Sequence, residues 1–308
     1  MKKTLLVVIV ALLLVPVVLY LAAPELLVGL LIDLERESVG LSKGSIVVGD
    51  HTVVYLEGGE GETILLVHGF GANKDNWNRL AKYLTPSYHV VAVDLPGFGE
   101  STKREDASYS ITAQAERLDS IAKALSLESF HVAGNSMGGN IAGKYALRFP
   151  DKVLTLGLFN AAGVPVCPEK SEMARLMDKG ENPLLIETPE DFDAMLRFAF
   201  VKPPWFPGAV KKMMAEEWAR SRAFNEKVFL EIIAEESSLE PDLPKIWTRT
   251  LILWGDTDRL LDVSCTEVLA KGLPSSTTVI MKDCGHVPMM ERPEETAQHY
   301  IGFLQAGS

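Results

Sequence analysis

Residues 130–149 read FHVAGNSMGGNIAGKYALRF, and this stretch decides the fold. Its first four residues are a short apolar run typical of a buried strand, and residues 140–149 have a helical pattern. Between the two, residues 134–138 match G-x-S-x-G in the strand-turn-helix context that gives this pattern its meaning. The flanking Gly134 and Gly138 let the backbone crowd past Ser136 in a sharp turn. We therefore expect the Ser136 hydroxyl to be exposed where a helix begins.

Short apolar runs rich in β-branched residues alternate with helical patterns along the rest of the chain. Helical patterns include residues 111–125 and 140–149. The apolar runs follow a hairpin pattern at 45–56 and lie at residues 63–67, 89–93, 130–133, 153–159, 250–254 and 277–281. This alternation predicts an α/β fold with a doubly wound, mostly parallel sheet, in which ligands bind at the carboxyl ends of the strands.

One interval, residues 164–245, interrupts the alternation with helical stretches and no convincing buried strand. An interval of this length is too long for a loop and predicts a helical cap inserted between strands 6 and 7. The core domain would then comprise residues 41–163 and 246–308. Methionine and aromatic residues of the interval form either the core of the cap or a deformable apolar wall over a pocket for acyl chains. These residues are Met173, Met177, Phe192, Met195, Phe198, Phe200, Trp205, Phe206, Met213, Met214 and Trp218.

The N-terminus carries a long uncharged segment. Residues 5–23 contain no charge and would span about 28 Å as a helix, close to the hydrocarbon thickness of a bilayer. Their summed hydropathy, roughly +59, exceeds the roughly +37 of the whole chain, so they account for its positive mean hydropathy of +0.12. The sequence predicts a retained transmembrane anchor. A cleaved signal peptide, giving a secreted protein, is the alternative, although the run is longer than usual and Leu21 occupies a small-residue position.

Charges around this segment predict its orientation. Residues 1–4 include Lys2 and Lys3, and acidic residues follow the segment, so the body of the protein is expected outside the cytoplasm, in the periplasm if the source is bacterial. Residues 24–40 are interpreted as a linker helix or as an interfacial helix on the membrane. The chain has 30 Lys and Arg against 41 Asp and Glu, a net charge of −11, without a basic run. This argues against nucleic-acid binding and against electrostatic binding to anionic lipids.

Ser136 needs an adjacent base to act as a nucleophile. His286 follows the last predicted strand, and we expect it to be that base; the other five histidines fit packing or surface roles. A carboxylate should orient the base and stabilise its charged form. The loop after residues 250–254 offers three candidates, Asp256, Asp258 and Asp262. No metal or cofactor is implied by these residues.

Acyl transfer also needs donors for the oxyanion of the tetrahedral intermediate. The backbone N–H of Met137, at the start of the helix, is one candidate. The N–H of Phe70 is the other, because Phe70 lies in the loop after the strand at 63–67. Both residues are also expected to contact the substrate. His68, two residues earlier, is interpreted as a support for that loop.

Five motifs together resemble the α/β-hydrolase superfamily. They are HGFG at 68–71, DLPGFGES at 94–101, GNSMGG at 134–139, WGDTD at 254–258 and GH at 285–286. In that family the second Asp after Trp-Gly is catalytic, so the resemblance selects Asp258. The anchor, the elbow and the cap resemble those of membrane-anchored monoacylglycerol lipases and related bacterial lipases and esterases. This implies hydrolysis of monoacylglycerols or similar lipid esters through an acyl-serine intermediate.

Two other functions remain open. Carbon-carbon bond hydrolases of aromatic ring-cleavage products share the elbow, but they typically have a Gly-rich loop after His-Gly and a Trp after the catalytic His. Here FGAN at 70–73 and VPM at 287–289 occupy those positions. The second alternative is a catalytically inactive, membrane-tethered binding protein.

The three cysteines are Cys167, Cys265 and Cys284. A disulfide between Cys265 and Cys284 is conceivable in an oxidising compartment, because both lie near the Asp and His loops. Three free thiols are the alternative.

Overall fold

The computed structural model describes residues 19–20, 22–234 and 238–306. Its centre is an eight-stranded sheet with the order β1-β2-β4-β3-β5-β6-β7-β8. The first three strands in that order pair antiparallel, and β4, β3, β5, β6, β7 and β8 are mutually parallel. The strands are β1 Ser42–Val48, β2 His51–Gly58, β3 Thr63–Val67, β4 His89–Val93, β5 Phe130–Asn135, β6 Val153–Phe159, β7 Thr250–Gly255 and β8 Ser276–Met281. The predicted α/β fold with a mostly parallel sheet is confirmed.

Helices cover both faces of the sheet. On one face, Leu66 and Ala133 share a core with the helices at residues 78–84 and 293–305. On the other face, Leu65 and Val132 share a core with the helices at residues 111–124, 137–148 and 265–272. Burial on both faces explains why the parallel strands are continuous apolar runs. The helices outside the β6–β7 interval are α1 Pro24–Ser38, α2 Asn78–Leu84, α3 Ile111–Ala124, α4 Met137–Arg148, α9 Cys265–Gly272, α10 Pro288–Glu291 and α11 Pro293–Gln305.

Among the described residues between β6 and β7, four α-helices lie where the sequence predicts a cap. They are α5 Glu172–Met177, α6 Pro189–Ala199, α7 Gly208–Arg220 and α8 Arg222–Ile232. Most of the predicted apolar residues are buried or half-buried here. Trp205 differs from both expectations, since 81% of its surface is exposed in the loop between α6 and α7. It therefore belongs neither to a core nor to an enclosed wall.

α1 packs on the body through one side only. It contacts α7 and α2, and it buries Val28 and Arg36. The predicted anchor at residues 5–23 falls mostly outside the described residues. None of the helices formed by the described residues is long and apolar enough to cross a bilayer. The anchor therefore stays a prediction.

Arg36 joins α1 to a buried ionic cluster below the loop at 68–71. Its guanidinium donates to both carboxylate oxygens of Asp75, each at 2.7 Å. The adjacent Lys74 is 1% exposed, and its Nζ donates to Asp94 Oδ2 and to Glu100 Oε1, both at 2.8 Å. Asp94 is fully buried and also accepts from the backbone N–H groups of Lys74 and Glu100. The cluster pins residues 94–100 to the loop that follows β3.

Glu100 titrates with this cluster. Burial alone would raise its pKa, but hydrogen bonds from Lys74 and Lys43 outweigh that effect and lower the pKa from 4.5 to about 2. Because the folded pKa is the lower one, the stabilisation is present above about pH 4.5 and is lost as the pH falls through about 2.

The cysteine pairing differs from the expected one. Cys167, at the start of the inserted interval, forms a disulfide with Cys265, the first residue of α9. Cys284 is free and buried, and burial raises the pKa of its thiol to about 12. A Cys265–Cys284 disulfide is therefore wrong, as are three free thiols. Cys167 and Cys265 are 98 residues apart in the sequence, but the fold brings their Cα atoms to 4.7 Å from each other. Their positions along the chain therefore did not indicate that they pair.

We expect Lys74→Met to lower the free energy of unfolding by about 3–5 kcal/mol, because it leaves the Asp94 carboxylate buried without its cation. Lys43→Met is the matched control, since Lys43 reaches the same Glu100 at the surface. Its effect should stay below about 1 kcal/mol. Chemical denaturation of the two variants measures both values, and equal losses would contradict a stabilising role for the buried cluster.

We expect reduction of the Cys167–Cys265 disulfide to lower the free energy of unfolding by about 4–5 kcal/mol, because the bond closes a loop of about 100 residues. Unfolding curves with and without reductant measure the difference. In the Cys167→Ala/Cys265→Ala variant, reductant should have no effect. Denatured, unreduced protein should present one titratable thiol, and a count of three would refute the pairing.

Candidate active site

Ser136 lies in a strained turn directly after β5. It has φ +55° and ψ −121°, a conformation that non-glycine residues rarely adopt. Its backbone N–H donates to the carbonyl of Phe159 at 3.1 Å, and its carbonyl accepts from the N–H of Ala162 at 2.9 Å. The end of β6 therefore holds the turn in place.

The two glycines of the turn are required by close backbone approaches. A Cβ on Gly134 would stand 2.1 Å from the carbonyl oxygen of Gly138. A Cβ on Gly138 would stand 2.2 Å from the carbonyl oxygen of Val67 in β3. Since real Cβ atoms essentially never approach an oxygen this closely, side chains at either position would open the turn. The close backbone contacts that the sequence predicts around Ser136 are therefore present.

His286 and Asp258 form a buried pair beside this turn. His286 Nδ1 lies 2.7 Å from Asp258 Oδ2. The Asn160 amide also donates to Oδ2 at 2.7 Å, and Oδ1 accepts from the N–H groups of Leu260 and Leu261. These donors fix the orientation of the carboxylate, and its Oδ2 accepts the hydrogen bond from the imidazole, so the ring proton lies on Nδ1. Nε2 is then the basic nitrogen.

The other two aspartates of this loop serve local turns. Asp256 is exposed and accepts a hydrogen bond from the Thr257 hydroxyl. Asp262 accepts from the backbone N–H of Ser264 just before α9. The structure therefore pairs His286 with Asp258, the residue that the family resemblance selects.

Asn135 connects the serine turn to the histidine loop. Its buried side-chain amide donates to the backbone carbonyl of His286 and to that of Phe159, each at 3.0 Å. Since Asn135 directly precedes Ser136, this brings Ser136 and His286 into one site. The roles of Asn135 and Asn160 were missed in the sequence, because each depends on a contact with a strand or loop far along the chain.

The two residues that are expected to supply oxyanion donors belong to segments that meet at this turn. Met137 is the first residue of α4, so its N–H is one of the unpaired groups at a helix start. The loop at 68–71 adjoins the turn, since a Cβ on Gly69 would stand 3.2 Å from Cβ of Ser136. The Phe70 ring makes edge contacts with Phe98 of that region and with two rings of the inserted helices, Trp218 and Phe229. An aromatic wall therefore rises from the site into the inserted interval.

His68 supports this loop, as the sequence suggested. It is fully buried, and its Nδ1 lies 2.7 Å from the carbonyl of Gly69 while Nε2 accepts from the N–H of Leu95 at 3.1 Å. Burial lowers its pKa, which favours the neutral ring that this bonding requires. The remaining histidines, His51, His89, His131 and His299, contact acidic side chains elsewhere.

The inserted interval also binds the histidine loop directly. The N–H of His286 donates to the carbonyl of Ala199 at the end of α6, at 2.8 Å. The Glu291 carboxylate accepts from three backbone N–H groups, those of Gly285 (2.9 Å), Val201 (3.3 Å) and Lys202 (2.8 Å). Nothing in the sequence signalled this contact.

Across residues 19–20, 22–234 and 238–306, no group of three or more His, Cys, Asp or Glu side chains is arranged to hold a metal ion.

Known proteins with a similar sequence or fold identify the family of this chain. The profile of the alpha/beta hydrolase family matches residues 64–299. Lipase 1 of Psychrobacter immobilis is 38% identical over 277 residues, covering 88% of this chain and 84% of that protein. Human monoacylglycerol lipase ABHD6 is 34% identical over 256 residues, covering 80% and 76%. The crystal structure of a membrane phospholipase A, described as a bacterial virulence factor, superposes with a TM-score of 0.91 at 48% identity, covering 99% of both chains. The chain is thus a lipase- or esterase-type member of the α/β hydrolase family.

Proposed function

We propose that this protein is a serine hydrolase that cleaves carboxylic esters of lipids through an acyl-serine intermediate. The observation that carries the proposal is the 2.7 Å contact between His286 Nδ1 and Asp258 Oδ2, beside the strained turn that presents Ser136. A base, its orienting carboxylate and an exposed hydroxyl are the groups that acyl transfer requires.

The reaction proceeds in two halves. His286 Nε2 takes the proton of Ser136 Oγ as the oxygen attacks the ester carbonyl, and Asp258 stabilises the resulting imidazolium. The N–H groups of Phe70 and Met137 donate to the oxyanion. His286 then gives its proton to the leaving alcohol, and the acyl group remains on Ser136. In the second half His286 activates a water molecule, which releases the fatty acid.

A monoacylglycerol or similar lipid ester is the substrate class we favour. The relatives named as monoacylglycerol lipases and the aromatic wall above the site support it. A phospholipid ester is the second candidate, because the structure at 48% identity belongs to a phospholipase A. Ring-cleavage products are a weaker candidate, since the loops at 70–73 and 287–289 differ from that group's usual pattern.

We also propose that residues 5–23 anchor the protein in a membrane and that the catalytic body lies outside the cytoplasm. The positive charges before the segment support this orientation. The Cys167–Cys265 disulfide is independent support, because such bonds persist in oxidising compartments. Secretion after cleavage of the segment is the alternative, and the mass of the mature N-terminus distinguishes the two.

We expect purified full-length protein to hydrolyse monoacylglycerol and phospholipid faster than triacylglycerol, and to leave a ring-cleavage product intact. Ser136→Ala should lower turnover by about 10⁶, because no other hydroxyl stands in the turn. Fatty-acid release from each lipid measures the order, and product analysis of the ring-cleavage compound measures carbon-carbon cleavage.

A fluorophosphonate probe separates an enzyme from an inactive binding protein. It should label the wild type on Ser136 and leave Ser136→Ala unlabelled. Wild type that stays unlabelled, or Ser136→Ala with near-normal turnover, would overturn the proposed mechanism.

Asn160 is proposed as a positioning residue for the Asp258 carboxylate. Asn160→Ala removes one charge-assisted hydrogen bond, which corresponds to a fall of about 10- to 100-fold in kcat with little change in KM. The rate of fluorophosphonate labelling should fall in parallel. Asn225→Ala, at a buried asparagine of α8, is the control for general loss of packing. Equal effects of the two variants would contradict the positioning role.

A further inference from the structure

The loop between α6 and α7 presents an apolar surface that the proposed mechanism does not use. Residues 201–207 read VKPPWFP, and we call this segment the Trp205 loop. Trp205 is 81% exposed, the highest value for any large apolar side chain among the described residues. Three prolines restrict the backbone around it, so the ring is held outward by a stiff segment.

The Trp205 loop leads towards the point where the proposed anchor meets the body. It continues into α7, whose first residue is Gly208. A Cβ on Gly208 would stand 4.0 Å from the hydroxyl of Tyr20, which belongs to the predicted anchor segment. α1, which directly follows that segment, packs on α7. Trp205 is therefore only three residues from Gly208, which lies beside the end of the segment proposed to enter the bilayer.

The chemistry of the loop matches the interfacial layer of a membrane. Tryptophan is enriched at membrane interfaces, because its ring is apolar and its N–H is polar. Lys202 in the loop and Lys212 in α7 are exposed, and long lysine side chains can reach from such a position to the aqueous layer. The net charge of −11 argues against a contact held by charge. A bilayer contact here would depend on apolar insertion.

The same loop is directly linked to the candidate active site. The N–H groups of Val201 and Lys202 bind the Glu291 carboxylate, which also binds the N–H of Gly285 beside His286. A membrane contact at Trp205 would therefore hold the histidine side of the site close to the lipid surface.

We propose that the Trp205 loop is a second membrane contact, which inserts Trp205 into the headgroup layer of the bilayer that holds the anchor. This inference rests on the proposed anchoring. It accounts for an exposed aromatic ring on a proline-stiffened loop beside the N-terminal segment. It also gives the inserted interval a role in collecting a lipid substrate from the membrane.

Quenching of tryptophan fluorescence by brominated phosphatidylcholine tests the proposal on the full chain reconstituted in vesicles. Trp77 and Trp254 are fully buried and Trp218 is partly buried. Trp205→Ala should therefore remove most of the lipid-dependent quenching. Trp247→Ala is the matched control, because Trp247 is also highly exposed, at 77%. It lies three residues before β7, at the amino ends of the parallel strands, whereas Ser136 lies at their carboxyl ends. That variant should keep the quenching of the wild type, also at high salt.

Activity gives a second readout. Trp205→Ala should slow hydrolysis of a vesicle-borne monoacylglycerol by roughly fivefold or more, since the variant loses the proposed apolar contact between the Trp205 ring and the bilayer. Hydrolysis of a short soluble aryl ester should not change, and Trp247→Ala should match the wild type on both substrates.

The outcomes separate the two proposals. Vesicle-bound protein whose lipid-dependent quenching survives Trp205→Ala would overturn the second contact while leaving the anchor intact. Ready quenching of Trp205 by aqueous acrylamide in the vesicle-bound protein would also overturn it and would favour a protein partner for the loop. Protein that does not co-float with vesicles would refute the anchor and the second contact together.

Discussion

The backbone conformation of Ser136 is the constraint on which the rest of the site depends. A φ of +55° costs free energy. The surroundings compensate through hydrogen bonds that join Ser136 to Phe159 and Ala162, and through two glycines that admit close backbone contacts. Because the turn is fixed in this way, the helix α4 begins where the serine is presented. Met137, the first residue of that helix, directly follows the serine.

A network of amides and carboxylates extends this constraint to the histidine. Asn135 bonds the turn to the backbone of His286, and Asn160, directly after β6, bonds to Asp258. Glu291 accepts hydrogen bonds both from the histidine loop and from the inserted interval. Each group is a side chain on one segment that bonds to another segment far away in the sequence. The geometry of the proposed triad therefore depends on β5, β6, α10 and the inserted helices at once.

The sequence predicted the features that depend on local chemistry. The strand-turn-helix around Ser136 was readable because glycine spacing and apolar patterning occur within 20 residues. The α/β alternation was readable for the same reason. Selection of Asp258 over Asp256 and Asp262 required the family resemblance, since spacing alone left three candidates. The roles of Asn135, Asn160 and Glu291 and the partner of Cys265 could not be predicted, because they depend on contacts between distant segments. Trp205 was misjudged because an aromatic residue in an apolar interval is usually buried.

The Cys167–Cys265 disulfide has a further consequence for the inserted interval. It joins the beginning of that interval to the helix after β7, so the inserted helices lie within a covalently closed loop of the chain. A protease that cuts any exposed loop between the two cysteines would yield fragments that stay linked until reductant is added. The bond also keeps the beginning of the inserted interval beside α9, whatever the conformation of the helices that follow it.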